Sequence, residues 1–381
     1  MEIMVVAGEA SGDAHAAELI LALRRRRPEL RFFGCGGDDM AAAGCELLVH
    51  NRELAVMGLV EVVRHLPRLR NRLRRLRRAM AERQPAGVIL VDFPDFNLRL
   101  AAAARRAGVP AIYFVSPQLW AWRSGRVKQI RRNIRRMICI FPFEPAFYAG
   151  YGLDVAGVGH PLVERIERAR AGLPTEAAFR ARLGLDPSTE IVALLPGSRK
   201  RELDFHLETM LEAARRLHAE RHVEFVLPVA AGVPRAEVEA ALPPPLQPYV
   251  HLAGAADAYA ALAYARLAIV ASGTATVEAA LWGAPMIVIY RLSSWTYRLG
   301  RRLVRTRHVA MVNLIAEKAA VPELIQAEFQ PDAIVAWARR LLEEGEARRQ
   351  MEADLAQVRM KLGSPGAIDR AAREVEQALF A

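Results

Sequence analysis

The stretch ASGTATVEAALWGAP, residues 271–285, has the pattern of a strand end, a tight turn and a helix start. Just before it, the apolar run from Leu267 to Val270 is typical of a buried parallel strand. Thr274 is placed to cap the helix that follows the turn. Repeated strand, turn and helix units build parallel α/β sheets, so this pattern predicts the fold class.

The same turn predicts a ligand site. Small residues at Ser272 and Gly273 let a ligand approach the backbone, and the amide groups at a helix N-terminus favour an anion. Glu278 lies one helical turn after Thr274 on the same face, where its carboxylate could accept hydrogen bonds from sugar hydroxyls. These features predict a nucleotide site, and an ordinary turn with a solvated Glu278 is the alternative.

Alternation of strand and helix patterns extends over both halves of the chain and predicts two Rossmann-like domains. In the first half the predicted strands are Ile3–Ala7, Val88–Val91, Ala111–Val115 and Met137–Ile140, with helices at Ala14–Arg25 and Leu98–Ala107. In the second half the predicted strands are Ile191–Leu195, Val223–Pro228, Leu267–Val270 and Met286–Tyr290, with a helix at Arg201–Glu220.

The domain boundaries follow from the segments between and after these elements. Residues 169–187 contain Gly172, Pro174, Gly184 and Pro187 and resemble a linker with a short helix in it. We predict a first domain over 1–168, a second over 188–345 and C-terminal helices over 346–381. Because no strand follows the helical segments Pro331–Leu342 and Ala367–Phe380, the last helices are expected to pack back across the boundary onto the first domain.

Composition limits the class of protein and its location. The 381 residues are enough for two ordinary domains. Cys35, Cys45 and Cys139 are scattered, which suggests neither a zinc site nor a disulfide framework and fits a reducing compartment. The N-terminal sequence lacks the basic region and apolar length of a signal peptide, and no later segment has membrane-spanning length. These features predict a cytoplasmic protein.

The formal net charge is +11, and most of the basic residues are arginine. A surface of this charge attracts anions, which include nucleic acid, acidic lipid headgroups and phosphorylated substrates. Total charge alone does not choose among these partners.

The segment from Gly58 to Met80 is amphipathic and rich in arginine. Apolar residues recur at helical spacing at Val62, Leu66, Leu69, Leu73, Leu76 and Met80, and arginines occupy 64, 68, 70, 72, 74, 75, 77 and 78. Pro67 predicts a break between two helices. A helix lying in an anionic membrane surface needs this pattern, but so does a helix that packs on a core with a solvated arginine face. Nucleic acid is a weaker option, because no recognised binding motif or interleaved aromatic residue accompanies the arginines.

Polar residues follow two of the predicted strands in the first domain. AGEASGD, residues 7–13, places Glu9 and Ser11 in a glycine-flanked turn, but it is not the G-x-G-x-x-G pattern of an NAD enzyme. VDFPDFN, residues 91–97, puts Asp92 directly after a strand, where a partly desolvated carboxylate can act as a general base. The alternative is a carboxylate that fixes its own loop by hydrogen bonds to backbone amides. Asp95 beside Pro94 has the pattern of a turn or N-cap residue.

In the second domain, LLPGSR at residues 194–199 ends another strand. Gly197 and Ser198 offer backbone amides, and Arg199 offers a fork of donors that matches phosphate oxygens. Together with Ser272, Gly273 and Thr274, this turn would bind a pyrophosphate.

Several strings together resemble the lipid A disaccharide synthase family. They are AGEASGD, ELAVMG, VDFPDFN, YFVSPQLWAWR, LLPGSR, ASGTATVEAALWGAPMIVIYR and NLIAEKAAVPELIQ, in this order between residues 7 and 326. The resemblance implies the GT-B fold, two Rossmann-like domains facing a central cleft. It also implies an inverting glycosyltransferase that joins UDP-2,3-diacylglucosamine to lipid X and releases UDP, without a metal or a cofactor.

The resemblance also implies roles for individual residues. Asp92 matches the candidate base, while Arg199, Glu278 and Asn313 match residues of the UDP site, which includes Ser272, Gly273 and Thr274. Residues matched with the acceptor or the cleft are Glu9, Ser11, Asp95, Trp122 and Gln326. Residues matched with a membrane-facing patch are Val60, Val62, Val63, Leu66 and Leu69. Where the family commonly has Gly-Arg, this chain has Glu317 and Lys318, which puts the contacts around Asn313 in doubt.

The implied partners are the two lipid substrates and an anionic membrane surface, with no nucleic acid, and the expected location is the cytoplasmic side of the inner membrane. A homodimer stays open. Two other classes of function also stay open at this point: a UDP-sugar epimerase of the same shape, and a nucleic-acid-binding protein. The epimerase would share the nucleotide turns but would have no use for the amphipathic arginine-rich segment.

Overall fold

Short apolar strands alternate with amphipathic helices along the first part of the chain. The structure, a computed structural model, describes residues 1–54, 59–121, 124–293, 297–298 and 306–381, and side chains within these ranges except at 59–66. The strands here are β1 Glu2–Ala7, β2 Arg31–Gly36, β3 Cys45–His50, β4 Gly87–Val91, β5 Ala111–Phe114, β6 Arg136–Cys139 and β7 Ala156–Gly157. The helices are α1 Ala10–Arg26, α2 Asp38–Ala42, α3 Leu59–Arg83, α4 Pro94–Arg106, α5 Val127–Asn133 and α6 Glu144–Ala149.

The second part of the chain repeats this alternation and ends in helices. Its strands are β8 Glu190–Leu195, β9 Val223–Pro228, β10 Val250–Ala253, β11 Leu267–Ala271, β12 Met286–Tyr290 and β13 Glu323–Ile325. Its helices are α7 Leu162–Ala171, α8 Glu176–Leu183, α9 Lys200–Glu220, α10 Arg235–Ala241, α11 Ala258–Tyr264, α12 Thr274–Trp282, α13 Met311–Ala316, α14 Pro331–Leu342, α15 Glu346–Lys361 and α16 Ala367–Phe380.

The strands form two separate parallel sheets. The first has the order β3-β2-β1-β4-β5-β6-β7, and the second has the order β10-β9-β8-β11-β12-β13. In each sheet the order reverses between the first and fourth strands, β1 and β4 in one and β8 and β11 in the other. The carboxyl ends of strands at such a reversal are where open α/β sheets bind ligands. The predicted α/β class with two parallel sheets is therefore confirmed.

Alternating side chains of the first sheet enter two different cores. Ile3 and Val5 pack with α1 and α16 on one face, while Met4 and Val6 pack with α3 and α4 on the other. The period of two follows from strand geometry, because successive side chains point to opposite faces. Since both faces are covered, the strands are apolar throughout, which explains why the sequence shows continuous runs and no polar alternation.

The chain divides into two compact units. One consists of residues 1–161 together with 364–381, and the other of residues 162–363. Residues 162–168, which the predicted ranges give to the first domain, lie in the second unit. The predicted C-terminal segment 346–381 is divided, because α15 belongs to the second unit and α16 to the first. Residues 169–187 do contain a short helix, α8, which Thr175 caps at its N-terminus.

The arginine-rich segment forms one helix, α3, and not two. Pro67 lies inside this continuous helix, so the predicted break is wrong. Leu73, Leu76 and Met80 are buried in the core of the first unit, and Leu69 packs against the same core. Leu69 is only partly buried, so its predicted membrane-facing role stays a prediction. The side chains of Val60, Val62, Val63 and Leu66 lie outside the described part of the structure.

Candidate functional site

Two carboxylate residues follow neighbouring strands of the first sheet. Glu9 comes after β1 and is the N-cap residue of α1, and Asp92 comes directly after β4. Because β1 and β4 are paired and parallel, both residues lie at the same edge of the sheet. This is the reversal point of the strand order, where a ligand site is expected.

Asp92 lies in an unusual backbone conformation. Its φ is +46° and that of Phe93 is +49°, so two successive residues other than glycine are left-handed. Such residues cost free energy and persist only where the surroundings hold them in place. The ring of Phe93 covers Gly8, and a Cβ atom at Gly8 would lie only 2.3 Å from that ring. Gly8 is therefore required for the position of the Asp92 turn.

Hydrogen bonds from two side chains also hold this turn in place. The Asn97 side chain is fully buried and donates to the carbonyl oxygens of Asp92 at 2.7 Å and Val91 at 3.1 Å. The hydroxyl of Tyr113 also donates to the Asp92 carbonyl, at 2.5 Å. These bonds fix the backbone of the turn and do not involve the Asp92 carboxylate. Sequence reasoning missed the positioning role of Asn97, although the residue lies within the quoted motif VDFPDFN.

The Asp92 carboxyl has the pKa of a general base that works near neutral pH. Its pKa is raised to about 6, mainly by burial and in smaller part by the negative charge of Glu9, while the hydrogen bond from the Phe93 amide opposes the shift. A carboxylate with a raised pKa at a sheet edge is a candidate for proton transfer. Asp92 is thus a candidate for chemistry in the first unit.

The other residues predicted for this edge differ in their surroundings. Asp95 is exposed, lies in the first turn of α4 and forms an ion pair with Arg126, while the N-cap of that helix is Phe93. The prediction of an N-cap role for Asp95 is wrong, because the helix begins one residue earlier, at Pro94. Ser11 is exposed in the first turn of α1. Trp122 lies outside the described residues.

In the second unit, Ser272, Gly273 and Thr274 follow β11 at its carboxyl end. Gly273 is the N-cap of α12, with φ at +153° and no side-chain cap hydrogen bond in this described turn. Thr274 is the first helical residue, so its predicted capping role is wrong. Gly273 and Thr274 are exposed, and a Cβ atom at Gly273 would meet no atom within 4 Å. The turn therefore presents the amides of a helix N-terminus to open space.

Glu278 lies one turn further along α12, as predicted. Tyr259 donates a hydrogen bond from its hydroxyl to the Glu278 carboxylate at 3.1 Å. Burial raises the pKa of Glu278, and the hydrogen bond from Tyr259 and the charge of Arg165 oppose that shift.

The turn after β8 differs from its prediction. The amides of Ser198 and Arg199 donate to the Glu202 carboxylate, at 2.8 and 3.2 Å. Of the two amides predicted to bind a phosphate, Gly197 and Ser198, that of Ser198 is therefore bonded to Glu202 in this structure. A glutamate in the first turn of a helix commonly makes such a cap, which is a signal that the sequence reasoning missed. The guanidinium of Arg199 is half exposed and lies 3.9 Å from Glu202.

Asn313 does not reach the surface of the second unit. It is fully buried, and its amide nitrogen donates to the Val321 carbonyl and to the Glu323 carboxylate, at 2.9 and 2.8 Å. Its oxygen accepts from the Val321 amide at 2.9 Å. Asn313 therefore positions its neighbours in this structure, and its predicted contact with a ligand stays a prediction. Val321, which lies beyond the end of α13, supplies two of these partners.

Glu323 is a positioning residue that the sequence reasoning missed. Its carboxylate accepts hydrogen bonds from the amides of Val309 and Ala310, both at 3.0 Å, ahead of α13. The Val309 carbonyl in turn accepts from the hydroxyl of Ser272 at 3.4 Å. Asn313 and Glu323 thus support the loop beside the exposed turn of α12. Glu317 takes a left-handed backbone, with φ at +61°, at the end of α13, which is the conformation that glycine favours.

Gln326 follows β13 and binds the chain after β12. Its carboxamide accepts from the Leu292 amide at 2.6 Å and donates to the Leu292 carbonyl at 3.1 Å. Through this pair Gln326 holds two strand ends of the second sheet together.

None of the described helices has the length and apolar character needed to cross a membrane.

Solved structures share this fold at low sequence identity. A UDP-GlcNAc 2-epimerase from Neisseria meningitidis, bound to UDP-GlcNAc, aligns with 99% of this chain and 100% of its own, with a TM-score of 0.65 and 11% identity. The calicheamicin glycosyltransferase CalG4 aligns with 99% of this chain and 98% of its own, with a TM-score of 0.61 and 17% identity. These likenesses confirm the predicted GT-B fold, but an epimerase and a transferase share it, so shape alone does not identify the reaction.

The sequence decides between these classes. The chain is 46% identical over 378 residues to the lipid-A-disaccharide synthase of Myxococcus xanthus (strain DK1622), covering 99% of this chain and 97% of that protein. It is 47% identical over 377 residues to the same enzyme of Acidobacterium capsulatum, covering 96% and 92%. A family profile described as "Lipid-A-disaccharide synthetase" matches residues 3–377. The chain therefore belongs to the lipid-A-disaccharide synthetase family of glycosyltransferases.

Proposed function

We propose that this enzyme transfers 2,3-diacylglucosamine from its UDP derivative to lipid X, with inversion at the anomeric carbon. The products would be the tetraacyl disaccharide 1-phosphate and UDP. The observation that carries the proposal is the half-buried Asp92, held in a left-handed turn with a pKa of about 6, in a chain of this family. A base of this kind suits the deprotonation of a sugar hydroxyl.

We assign the UDP portion of the donor to the second unit. The exposed N-terminus of α12 suits the negative diphosphate, and the half-exposed Arg199 adds a fork of donors. The Glu278 carboxylate, one helical turn from Thr274, would accept a hydrogen bond from a ribose hydroxyl. Asn313 and Glu323 act indirectly in this proposal, by fixing the loop that bonds to Ser272.

In the proposed step, the acceptor hydroxyl attacks the anomeric carbon while the bond from that carbon to the UDP oxygen breaks. Asp92 takes the proton of the attacking hydroxyl, and UDP leaves with the electron pair of the broken bond. Inversion requires the attack to come from the sugar face opposite the leaving group. Donors that stabilise the negative charge on the leaving diphosphate lower the barrier, and Arg199 with the α12 amides would supply them. The proposal includes no metal and no cofactor.

UDP release with and without a lipid acceptor tests the reaction. The purified chain is incubated with UDP-2,3-diacylglucosamine in the presence or absence of lipid X, and UDP and the disaccharide are quantified. We expect UDP release to require lipid X and to continue in EDTA. An epimerase would convert the sugar nucleotide without an acceptor, and that result would overturn the proposed transfer. Loss of activity in EDTA that added metal restores would overturn the metal-free mechanism.

Replacement of Arg199 by alanine is expected to weaken UDP binding. A hydrogen bond to a charged group contributes about 1.5 to 3 kcal/mol, which is roughly a 10- to 150-fold change in Kd. Isothermal titration with UDP measures the change. Arg201→Ala is a suitable control, because Arg201 is an exposed arginine two residues away. An unchanged Kd in Arg199→Ala would remove this residue from the proposed site.

The pH dependence of turnover should report the Asp92 carboxyl. A base must be unprotonated, so we expect the rate to fall about tenfold per pH unit below about pH 6, following the pKa of Asp92. Because the charge of Glu9 raises that pKa, Glu9→Gln should move the acid limb to lower pH. Initial rates between pH 4.5 and about 8 in both proteins measure the shift. An acid limb that Glu9→Gln leaves in place would contradict the assignment to Asp92.

We further propose that α3 holds the enzyme on the anionic cytoplasmic face of the inner membrane, where acylated substrates lie. The arginines at 68, 70, 74, 75 and 78 are exposed along this helix. Basic residues beside an apolar patch bind anionic lipid surfaces. The apolar part would be Val60, Val62, Val63 and Leu66, with the partly buried Leu69 at its edge, since Leu73, Leu76 and Met80 are buried in the core.

Replacing these four apolar residues by serine is expected to release the protein from anionic vesicles without unfolding it. Sedimentation with phosphatidylglycerol vesicles measures binding, and circular dichroism measures folding. Leu76→Ser provides the contrast, because Leu76 is fully buried and its replacement should destabilise the fold. If the fourfold variant unfolds as well, its residues belong to the core and the proposal fails.

A further inference from the structure

His206 lies inside the second unit, directly behind the turn that carries Arg199. It belongs to α9 and is fully buried. Its Nδ1 lies 2.6 Å from the carbonyl oxygen of Pro196, the residue that begins the turn after β8. Its Nε2 lies 3.0 Å from the amide nitrogen of Arg291, which follows β12. One imidazole therefore joins two strand ends of the second sheet.

The two contacts determine the protonation state of the ring. A carbonyl oxygen can only accept, so Nδ1 must carry the hydrogen. A backbone amide can only donate, so Nε2 must be bare. The bonded ring is therefore the neutral Nδ1-H tautomer, since a protonated ring would place one N–H group against another. Consistent with this, burial lowers the pKa of His206.

The surroundings of His206 reinforce the link. Arg291 is held in turn by the Thr209 hydroxyl, at 3.1 Å, and by the carbonyl of Phe329. The rings of Tyr290 and Phe329 pack against the imidazole, with centroids 5.8 and 5.7 Å away. The charges that act on the ring are Glu202 from α9 and Arg291 from the end of β12. Glu202 also accepts hydrogen bonds from the Ser198 and Arg199 amides. Glu202 and His206 therefore both hold the turn after β8.

We propose that neutral His206 is a positioning residue for the UDP site, which aims the Arg199 fork by fixing the turn after β8 to the end of β12. This inference rests on the proposed function, because it assigns the turn to UDP. His206 itself touches no ligand in this proposal. Its effect passes through the Pro196 carbonyl, three residues before Arg199.

Two replacements of His206 test the link, with UDP as the probe. His206→Phe keeps a ring but removes both hydrogen bonds, and we expect UDP affinity to fall about 5- to 50-fold. His206→Gln retains one donor and one acceptor and should lose less affinity. His218→Phe is the matched control, because His218 lies in the same helix, more than three turns away, and bonds to the Val223 carbonyl. UDP affinity in the control should equal that of the unmodified enzyme.

The pH dependence distinguishes positioning from a general loss of stability. Histidine has an ordinary pKa of about 6.5, so the ring is neutral above that pH. We therefore expect the ratio of UDP affinities between the unmodified enzyme and His206→Phe to be constant there. The ratio should shrink toward one at lower pH, because a protonated ring can no longer accept from Arg291. The terminal phosphate of UDP gains a proton at about pH 6. Because this changes the affinity of both proteins equally, the ratio does not contain it.

Nitrogen-15 spectra of histidine-labelled protein give a second readout. We expect His206 to appear as the Nδ1-H tautomer at neutral pH, with an unprotonated Nε2. An Nε2-H tautomer would overturn the positioning role. So would folded His206 variants that both bind UDP as tightly as the unmodified enzyme. Failure of the unmodified enzyme to bind UDP would instead overturn the proposed function, and the positioning role with it.

Discussion

An Asp92→Asn enzyme should be folded, bind UDP normally and transfer sugar about 10² to 10⁴ times more slowly. The substitution keeps the shape of the side chain and removes its basicity. Asparagine also tolerates the left-handed backbone that Asp92 adopts, so the strained turn should survive. Initial rates at saturating donor and acceptor, together with titration of UDP, measure the two effects separately.

Asp95→Asn is the matched control for this experiment. It makes the same chemical change in the same motif, but Asp95 is exposed and paired with Arg126. We expect its rate to stay within a few-fold of that of the unmodified enzyme, since exposed ion pairs contribute about 0 to 1 kcal/mol. Near-normal turnover in Asp92→Asn would remove the base role from Asp92. A large loss in Asp95→Asn alone would move that role to Asp95.

Gly8→Ala should slow transfer about 100-fold through a steric effect on Asp92. The added Cβ would lie 2.3 to 2.8 Å from three ring atoms of Phe93, so the ring must move. Phe93 adjoins Asp92 in the left-handed turn, and a displaced ring displaces the carboxylate. Overpacking of this kind also costs about 1 to 3 kcal/mol of stability. Turnover and thermal unfolding of the same preparation measure both consequences.

Gly12→Ala serves as the control for Gly8→Ala. A Cβ at Gly12 would come no closer than 3.7 Å to any neighbour, which is ordinary contact. Because Gly12 lies within α1, alanine there should raise helix stability by up to about 1 kcal/mol. Equal turnover in both alanine variants would show that the contact between Gly8 and Phe93 does not position the base.

The sequence was most informative where a strand is buried on both faces or a helix has a clear apolar stripe. The predicted helices Pro331–Leu342 and Ala367–Phe380 match the structure at both ends. Strands β2, β3, β7, β10 and β13 were not predicted. In β2, the sequence RFFGCG has weak strand propensity, yet Gly34 is needed because a Cβ there would lie 2.0 Å from the Val5 carbonyl oxygen. That requirement arises from a neighbouring strand and is invisible in the local sequence.

The candidate site shows the same limit. Motif and position placed Asp92, Glu278 and Arg199 at the edges of the sheets, because the carboxyl ends of parallel strands lie together whatever the details of the loops. The partners of buried side chains could not be predicted. Asn313 was assigned to the ligand, but its side chain is bonded to the backbone of Val321, eight positions later in the chain. Glu202 and His206 were missed as well, because their roles depend on which backbone groups the folded turn leaves within reach.

Completion of the first unit depends on the last helix of the chain to be synthesised. Residues 367–380 complete the core of the first unit, where Ala371, Ala372 and Val375 are fully buried against α1 and the first sheet. A nascent chain that has emerged through residue 363 holds every residue of the second unit, while the first unit still lacks one of its helices. The unit that carries Asp92 is therefore the first to be synthesised in part and the last to be completed. A premature stop before residue 367 would leave an apolar groove on that unit open to chaperones and proteases.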